Sequence, residues 1–294
     1  MYVSMKAMLD HANAHGYAIM ACNCCNMENA LAVVRAATAE GSPVIINISP
    51  RQFKLHADLS AMVPMVKHLA QEAPVPVALN LDHGQLCADV VRAIRCGFSS
   101  VMFDGSALPY EENLSVTQDV VAMAHGMGIS VEGELGHVGQ ASEGDGEKVD
   151  FYTNVDRAVE FVRETGVDAL AVAVGTAHGK YPAGYVPTLD FNRLAELKAA
   201  LKMPLVLHGG SGSGEENIRR AVEGGINKIN VCTDVFAVGR DHIAATLAKN
   251  PAIDYMDLME SAQGAMEEYI RSYMRLIGSS GRYDYVLSSE KAMD

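Results

Sequence analysis

Tryptophan is absent from this 294-residue chain, and aromatic residues make up only 6% of it. That shortage excludes little; other absences exclude more. No apolar stretch reaches the roughly 20 residues a membrane-spanning helix needs, so no membrane partner is expected. The opening MYVSMKAMLD lacks the apolar core of a secretory signal, and a cytoplasmic location is the expectation. No basic patch or run is visible, and 23 Lys and Arg against 36 Asp and Glu leave a net charge of −13. Nucleic acid is therefore not an expected partner. No second cysteine pair at zinc-finger spacing follows Cys22-Asn23-Cys24-Cys25, so the six cysteines read as reduced thiols. No low-complexity linker, charge run or composition shift divides the sequence, and residues 1–294 read as one domain.

What recurs is a short apolar run, then a turn, then a helical segment. The runs cover 17–23, 43–49, 76–82, 99–106, 129–136, 169–175, 204–210 and 226–233. Near-continuous hydrophobicity such as PVIINIS or ALAVAVG suits parallel strands buried on both faces. Helical patterns fill 28–40, 58–71, 86–96, 111–125, 154–164, 191–201, 215–223 and 235–249. Eight such units in alternation predict a (β/α)8 barrel. A doubly wound open sheet is the rival, but no GxGxxG turn follows the first strand. A further helix is predicted over 257–277, alternating apolar and charged residues as an interface helix would, with a short polar tail at 278–294.

Three histidines stand where these strands run out: His83 in NLDHG, His178 in VGTAHGKY and His208 in LVLHGGSGSG. In a barrel that end of the strands carries the chemistry. Three neutral imidazoles plus one open position make the usual catalytic zinc arrangement. Asp82 directly precedes His83 and places a proton carrier beside such a metal, with Gly84 permitting the turn that brings both inward. After His208, Gly209 and Gly210 begin a glycine-rich loop through Ser211 to a helix start at Glu215, a cradle for phosphate made of backbone N–H groups. Asn230 and Thr233, ending the last strand, offer polar contacts, and Lys180 offers a charge to neutralise phosphate. Glu132 and Glu134 share one face at period two, so both point inward only if paired or metal-bound. Glu143 and Glu147 lie on a long polar loop over 136–150 that has the makings of a lid.

Taken in order, YAIMACN, LDHG, VMFDGS, VEGELG, GTAHGKY, LVLHGGSGSG and INVCTD resemble the class II, zinc-dependent ketose-bisphosphate aldolases over essentially the whole chain. That family includes the fructose- and tagatose-bisphosphate aldolases. The resemblance implies reversible aldol cleavage of a phosphorylated ketose to dihydroxyacetone phosphate and an aldehyde. It makes His83, His178 and His208 the ligands of one catalytic Zn2+, with Asp104 and Glu134 as alternative ligands when the ion shifts or a second one binds. It makes Asp82 the acid/base group at the C4 hydroxyl. Gly179, Gly209, Ser211, Asn230 and Thr233 match positions that hold the dihydroxyacetone-phosphate end, and Asn23 and Ser49 match positions that face the substrate. A monovalent cation (Na+ or K+) near the phosphate and a homodimer or homotetramer are also implied. The motifs depart from the family at Cys22, at Pro50-Arg51-Gln52-Phe53, and at Gly139-Gln140-Ala141-Ser142-Glu143. The last change displaces by one position the glutamate that would exchange the C3 proton, here Glu143. These departures bear on the substrate, and leave open another phosphorylated sugar or keto acid, or a catalytically weak sugar-phosphate-binding paralogue. A metal-dependent hydrolase on the same fold fits less well, because the first strand carries no histidine.

Overall fold

The apolar runs pair, each with its sequence neighbour, as eight parallel strands, and the last pairs with the first to close a barrel. The computed structural model describes residues 1–136, 138–139, 152–179, 181–182 and 184–283. The strands are β1 (Ile19–Asn23), β2 (Val44–Ile48), β3 (Val77–Gly84), β4 (Ser100–Phe103), β5 (Ser130–Leu135), β6 (Ala169–Val172), β7 (Leu205–Leu207) and β8 (Ile226–Val231). Around them run α1 (Met5–His15), α2 (Met27–Glu40), α3 (Pro50–Leu55), α4 (Leu59–Glu72), α5 (Cys87–Cys96) and α6 (Tyr110–His125). The ring continues with α7 (Val155–Thr165), α8 (Phe191–Leu201), α9 (Glu215–Glu223), α10 (Thr233–Lys249) and α11 (Tyr255–Leu276). The fold is the expected (β/α)8 barrel with an additional C-terminal helix.

Two apolar assemblies hold it. The larger lies between strands and surrounding helices, as expected where strands are buried on both faces. The smaller fills the barrel interior with Ile19, Ala21, Ile45, Ala78, Met102, Ala169, Ala171 and Val206. Its small alanines leave room for a plug that the sequence pattern did not announce. Helix α1 precedes the first strand, is N-capped by Ser4, and inserts Met5, Met8, Leu9 and Ala12 into that assembly. The Met5 backbone N–H also donates to Ser100 Oγ at 3.0 Å, tying the plug to β4.

The final helix begins two residues earlier than predicted and ends one sooner, and its apolar stripe is filled within the chain. Ala262, Met266, Ile270 and Met274 are buried as it packs on α2 and α10, while Tyr255 and Met256 at its start face outward. One carboxylate locks this closure. Glu40, at the end of α2, accepts from Arg271 Nε at 3.0 Å, an Arg275 guanidinium nitrogen at 2.6 Å and Ser280 Oγ at 2.9 Å. The hydrogen bond from Arg275, with help from Arg271 and Ser280, lowers its pKa from 4.5 to about 2. A depressed carboxyl stabilises the fold above its unfolded value and loses that contribution as pH falls toward the folded value. Solvent around the half-exposed arginines screens the gain to about 1 kcal/mol. Glu40→Gln should therefore lower stability by about that amount at pH 7, with the gap to wild type closing between pH 4.5 and about 2. Urea denaturation at several pH values measures it, and a gap unchanged at low pH would assign the effect to packing.

Candidate active site

The strand ends converge on a cavity of about 730 Å3. Asn23, Ser49, Asp82, His83, His178, Gly179, Gly209, Ser211, Asn230 and Thr233 all line it, which brings together ten of the residues singled out in the sequence. Successive residues Asp82 and His83 both face inward because the chain turns at His83 itself, whose φ is +53°. This differs from the expectation that Gly84 makes the turn. Gly84 is needed for close approach instead: a Cβ there would lie 2.7 Å from the Met102 carbonyl oxygen. A left-handed histidine beside a shift in strand register is the kind of backbone cost found at functional sites.

Asp82 is 5% exposed and both of its oxygens are occupied. Asn23 Nδ2 donates to Oδ2 and Asn230 Nδ2 to Oδ1, each at 2.8 Å. Burial opposes its charge, but His83, His208, Lys228 and the Asn23 hydrogen bond outweigh burial and lower its pKa. Asp82 is therefore an ionised, doubly supported carboxylate, suited to accept a proton.

The histidines form a ring cluster. Centroids lie 4.5 Å apart for His83 and His208, 4.7 Å for His83 and His178, and 5.8 Å for His178 and His208. His83 Nδ1 lies 2.8 Å from Asp104 Oδ2, and His208 Nε2 lies 2.8 Å from Glu132 Oε1. Those carboxylates accept, so a proton sits on each of these two nitrogens and the other ring nitrogens face the cavity. The facing atoms, His83 Nε2 and His208 Nδ1, are 2.9 Å apart. A shared proton, or a cation bound by both, relieves that contact. Burial disfavours charge on His83, yet Asp82, Asp104 and Glu134 outweigh it and raise its pKa to about 10. Burial, with the charges of His83 and His208, pushes His178 down to about 3. Burial and His83 likewise lower His208.

The donor set fits a divalent metal. Ligand nitrogens of His83, His178 and His208 lie within 4.8 Å of one another, as do single ligand atoms of His83, Asp104 and Glu134. Imidazoles whose second nitrogen is held by a carboxylate are the usual dress of a zinc ligand. Glu134 adds a second sign. Its Oε2 is buried with no hydrogen-bond partner among the described residues and lies 3.9 Å from His83 Nδ1, and burial together with Asp104 raises its pKa. An orphaned buried oxygen of this kind is relieved by a cation.

Opposite the histidines the cavity wall is the glycine loop and the start of α10. Ser211 Oγ accepts the backbone N–H groups of Cys232 and Asp234, each at 3.3 Å, which fixes the loop against that helix. Helix α10 opens beside the cavity at Thr233; its N-cap residue Cys232 makes no side-chain capping bond, Ser211 Oγ takes the Asp234 N–H of its first turn, and a helix N-terminus favours an anion. Two corrections follow. The helix start after the loop, at Glu215, lines a different cavity, so α10 rather than α9 presents its N-terminus to the site. Gly210, expected among the phosphate contacts, gives its N–H to the Asn230 carbonyl at 3.2 Å and also lines that other cavity. Lys180, Glu143 and Glu147 lie outside the described residues.

Several participants were given no role by the sequence, which marked Arg51 and Gln52 only as a departure from the family pattern. Gln52 links Ser49 to Asn23: its Oε1 accepts the Ser49 backbone N–H at 2.7 Å and Asn23 Nδ2 at 3.3 Å. Arg51, Phe236 and Arg240 also line the cavity. Lys228 is fully buried, donating to Glu132 Oε2 at 2.7 Å and Asn230 Oδ1 at 2.8 Å. The signal for Lys228 was there: a lone charge inside the apolar strand INKINV, two residues before Asn230. Glu132 and Glu134 do share the inward face: Glu132 is paired with Lys228 and His208, and Glu134 belongs to the second group of candidate metal ligands.

Comparison with known proteins agrees with this geometry. The sequence matches the family described as fructose-bisphosphate aldolase class-II over residues 3–282. The crystal structure of the YdjI aldolase from Escherichia coli K12 is 32% identical, covers 96% of this chain and 100% of its own, and superposes with a TM-score of 0.84. Fructose-bisphosphate aldolase (Fba) from Campylobacter jejuni, 24% identical over 95% of this chain and 96% of its own, shares the fold with a TM-score of 0.80. A match over nearly the whole chain, with the motif residues gathered in one cavity, makes this protein a member of the class II fructose-bisphosphate aldolase family.

Proposed function

We propose that this aldolase-family protein cleaves a phosphorylated ketose, reversibly and with zinc, into dihydroxyacetone phosphate and an aldehyde. One observation carries the reading. A supported, ionised carboxylate, Asp82, shares a cavity with three convergent imidazoles and faces a helix N-terminus across it. His83, His178 and His208 would hold the ion, which when bound contributes Lewis acidity at the ketose carbonyl. The backbone around Gly209, Ser211 and Thr233 receives the phosphate of the three-carbon end, where α10 directs its N–H groups. Asp82 takes the proton from the C4 hydroxyl as the C3–C4 bond breaks, so that the C4 fragment leaves as an aldehyde and the bonding pair stays with C3. In the reverse direction it returns that proton to the new hydroxyl.

The charge of the cavity supports an anionic substrate. In a chain of net charge −13, the only carboxylate lining this cavity among the described residues is Asp82, whereas Arg51 and Arg240 both line it. An aldol-cleavage screen over phosphorylated ketoses and keto acids, fructose 1,6-bisphosphate and tagatose 1,6-bisphosphate included, tests the reading by detecting dihydroxyacetone phosphate. Release of that product from at least one phosphorylated compound, in an EDTA-sensitive manner, is the expected result. EDTA-insensitive turnover, or no cleavage by zinc-loaded protein across the whole screen, would overturn it.

A further inference from the structure

We infer that Lys228 is a positioning residue that dictates which way the Asn230 amide faces and thereby aligns Asp82 for proton transfer. The inference rests on Asp82 having the role proposed above. Lys228 and Glu132 are both 0% exposed, inside the barrel beneath the cavity. As a simple ion pair, Lys228 would need only Glu132, whose Oε2 it meets at 2.7 Å. Its second contact sets the case apart: Nζ also donates to Asn230 Oδ1 at 2.8 Å. An ammonium has donors and no acceptor. Asn230 must therefore turn its carbonyl oxygen to Lys228 and its NH2 to Asp82 Oδ1, 2.8 Å away. A side-chain amide has two near-equivalent orientations, and it is the partners that select between them. With Lys228 replaced by an apolar side chain, the amide loses the cation that holds its carbonyl oxygen and is oriented only by Asp82 Oδ1 and the 3.2 Å approach of its Nδ2 to His208 Nδ1. Each flip then sets a carbonyl oxygen against the Asp82 carboxylate.

The second branch of the same cation serves the metal set. By pairing with Glu132, Lys228 keeps that carboxylate available as acceptor for His208 Nε2 at 2.8 Å, which leaves His208 Nδ1 facing the cavity. Glu132 and Asn230 thus connect one buried ammonium to both halves of the site. The branches are separable, because a glutamine at 132 can still accept from His208.

The experiment uses paired substitutions that leave no unpaired buried charge, so that the barrel folds. Glu132→Gln is combined with Lys228→Met, which removes the donor, or with Lys228→Gln, which retains a shorter one. Zinc content, kcat and KM are measured with the phosphorylated ketose turned over fastest in the screen, starting with fructose 1,6-bisphosphate, and Asp82→Ala is run alongside. The Met-bearing pair should keep zinc and KM within about threefold of wild type while kcat falls by roughly ten- to a hundredfold. The Gln-bearing pair should recover a substantial part of that loss. Equal kcat in the two pairs, kcat near wild type with methionine at 228, or loss of zinc from the Met pair alone would each overturn the inference. Activity surviving in Asp82→Ala would instead overturn the role of Asp82 on which it rests.

Discussion

Asp82→Ala should lower the cleavage rate by about a hundred- to ten-thousand-fold, the usual contribution of a general acid/base group, while zinc stays bound. The reason is a division of labour between adjacent residues. Asp82 is spoken for by two amides, from Asn23 and Asn230, and its nearer oxygen lies 3.9 Å from His83 Nε2. It borders the imidazole cluster without belonging to it. His83 stands nearest the middle of that cluster and also belongs to the second ligand group with Asp104 and Glu134. His83→Ala should therefore lose metal affinity, with activity falling in step with metal content. Zinc analysis beside cleavage rate separates the two variants. If Asp82→Ala arrives without zinc, or His83→Ala retains zinc and full activity, the assignment is wrong.

Chelation should be equally severe for activity and should register in stability as well. His83 Nε2 and His208 Nδ1 face each other at 2.9 Å, and Glu134 Oε2 is buried with no hydrogen-bond partner among the described residues. Those are groups that the ion would satisfy. A ligand bound to the native state at a thousand times its Kd stabilises by about 4 kcal/mol, which for a domain of this size corresponds to a Tm change of roughly 8 to 16 °C. EDTA treatment should abolish cleavage and lower Tm, and added zinc should restore both. A chelated protein that keeps its activity and its Tm would remove metal chemistry from this site.

Much of the barrel was legible because its strands are buried on both faces and read as apolar runs with turns between them. The runs overshot where strand and loop share a composition: β7 ends at Leu207, yet the apolar pattern carries on into the site through His208. Helix α1 was missed because no strand precedes it, so the alternation gave no reason to look there. Helix α3 was missed for a local reason. Six residues are too few to show a helical period, and it is specified by its capping box, in which Ser49 and Gln52 bond each other's backbone N–H groups. In the site, ligand-type residues at strand ends were readable from motif spacing. The role of Gln52, the turn at His83 and the partners of Lys228 were not, since they arise from contacts across 29 and 96 positions of sequence or from a backbone angle that no residue type announces.

The two amides on Asp82 come from β1 and β8, the pair that closes the barrel, with Ala21 and Asn230 in register across that seam. Proton-transfer competence is thereby wired to the meeting of the chain's two ends. A protein truncated between His208 and Asn230 would keep the carboxylate and all three imidazoles yet lack half of what holds Asp82 in place.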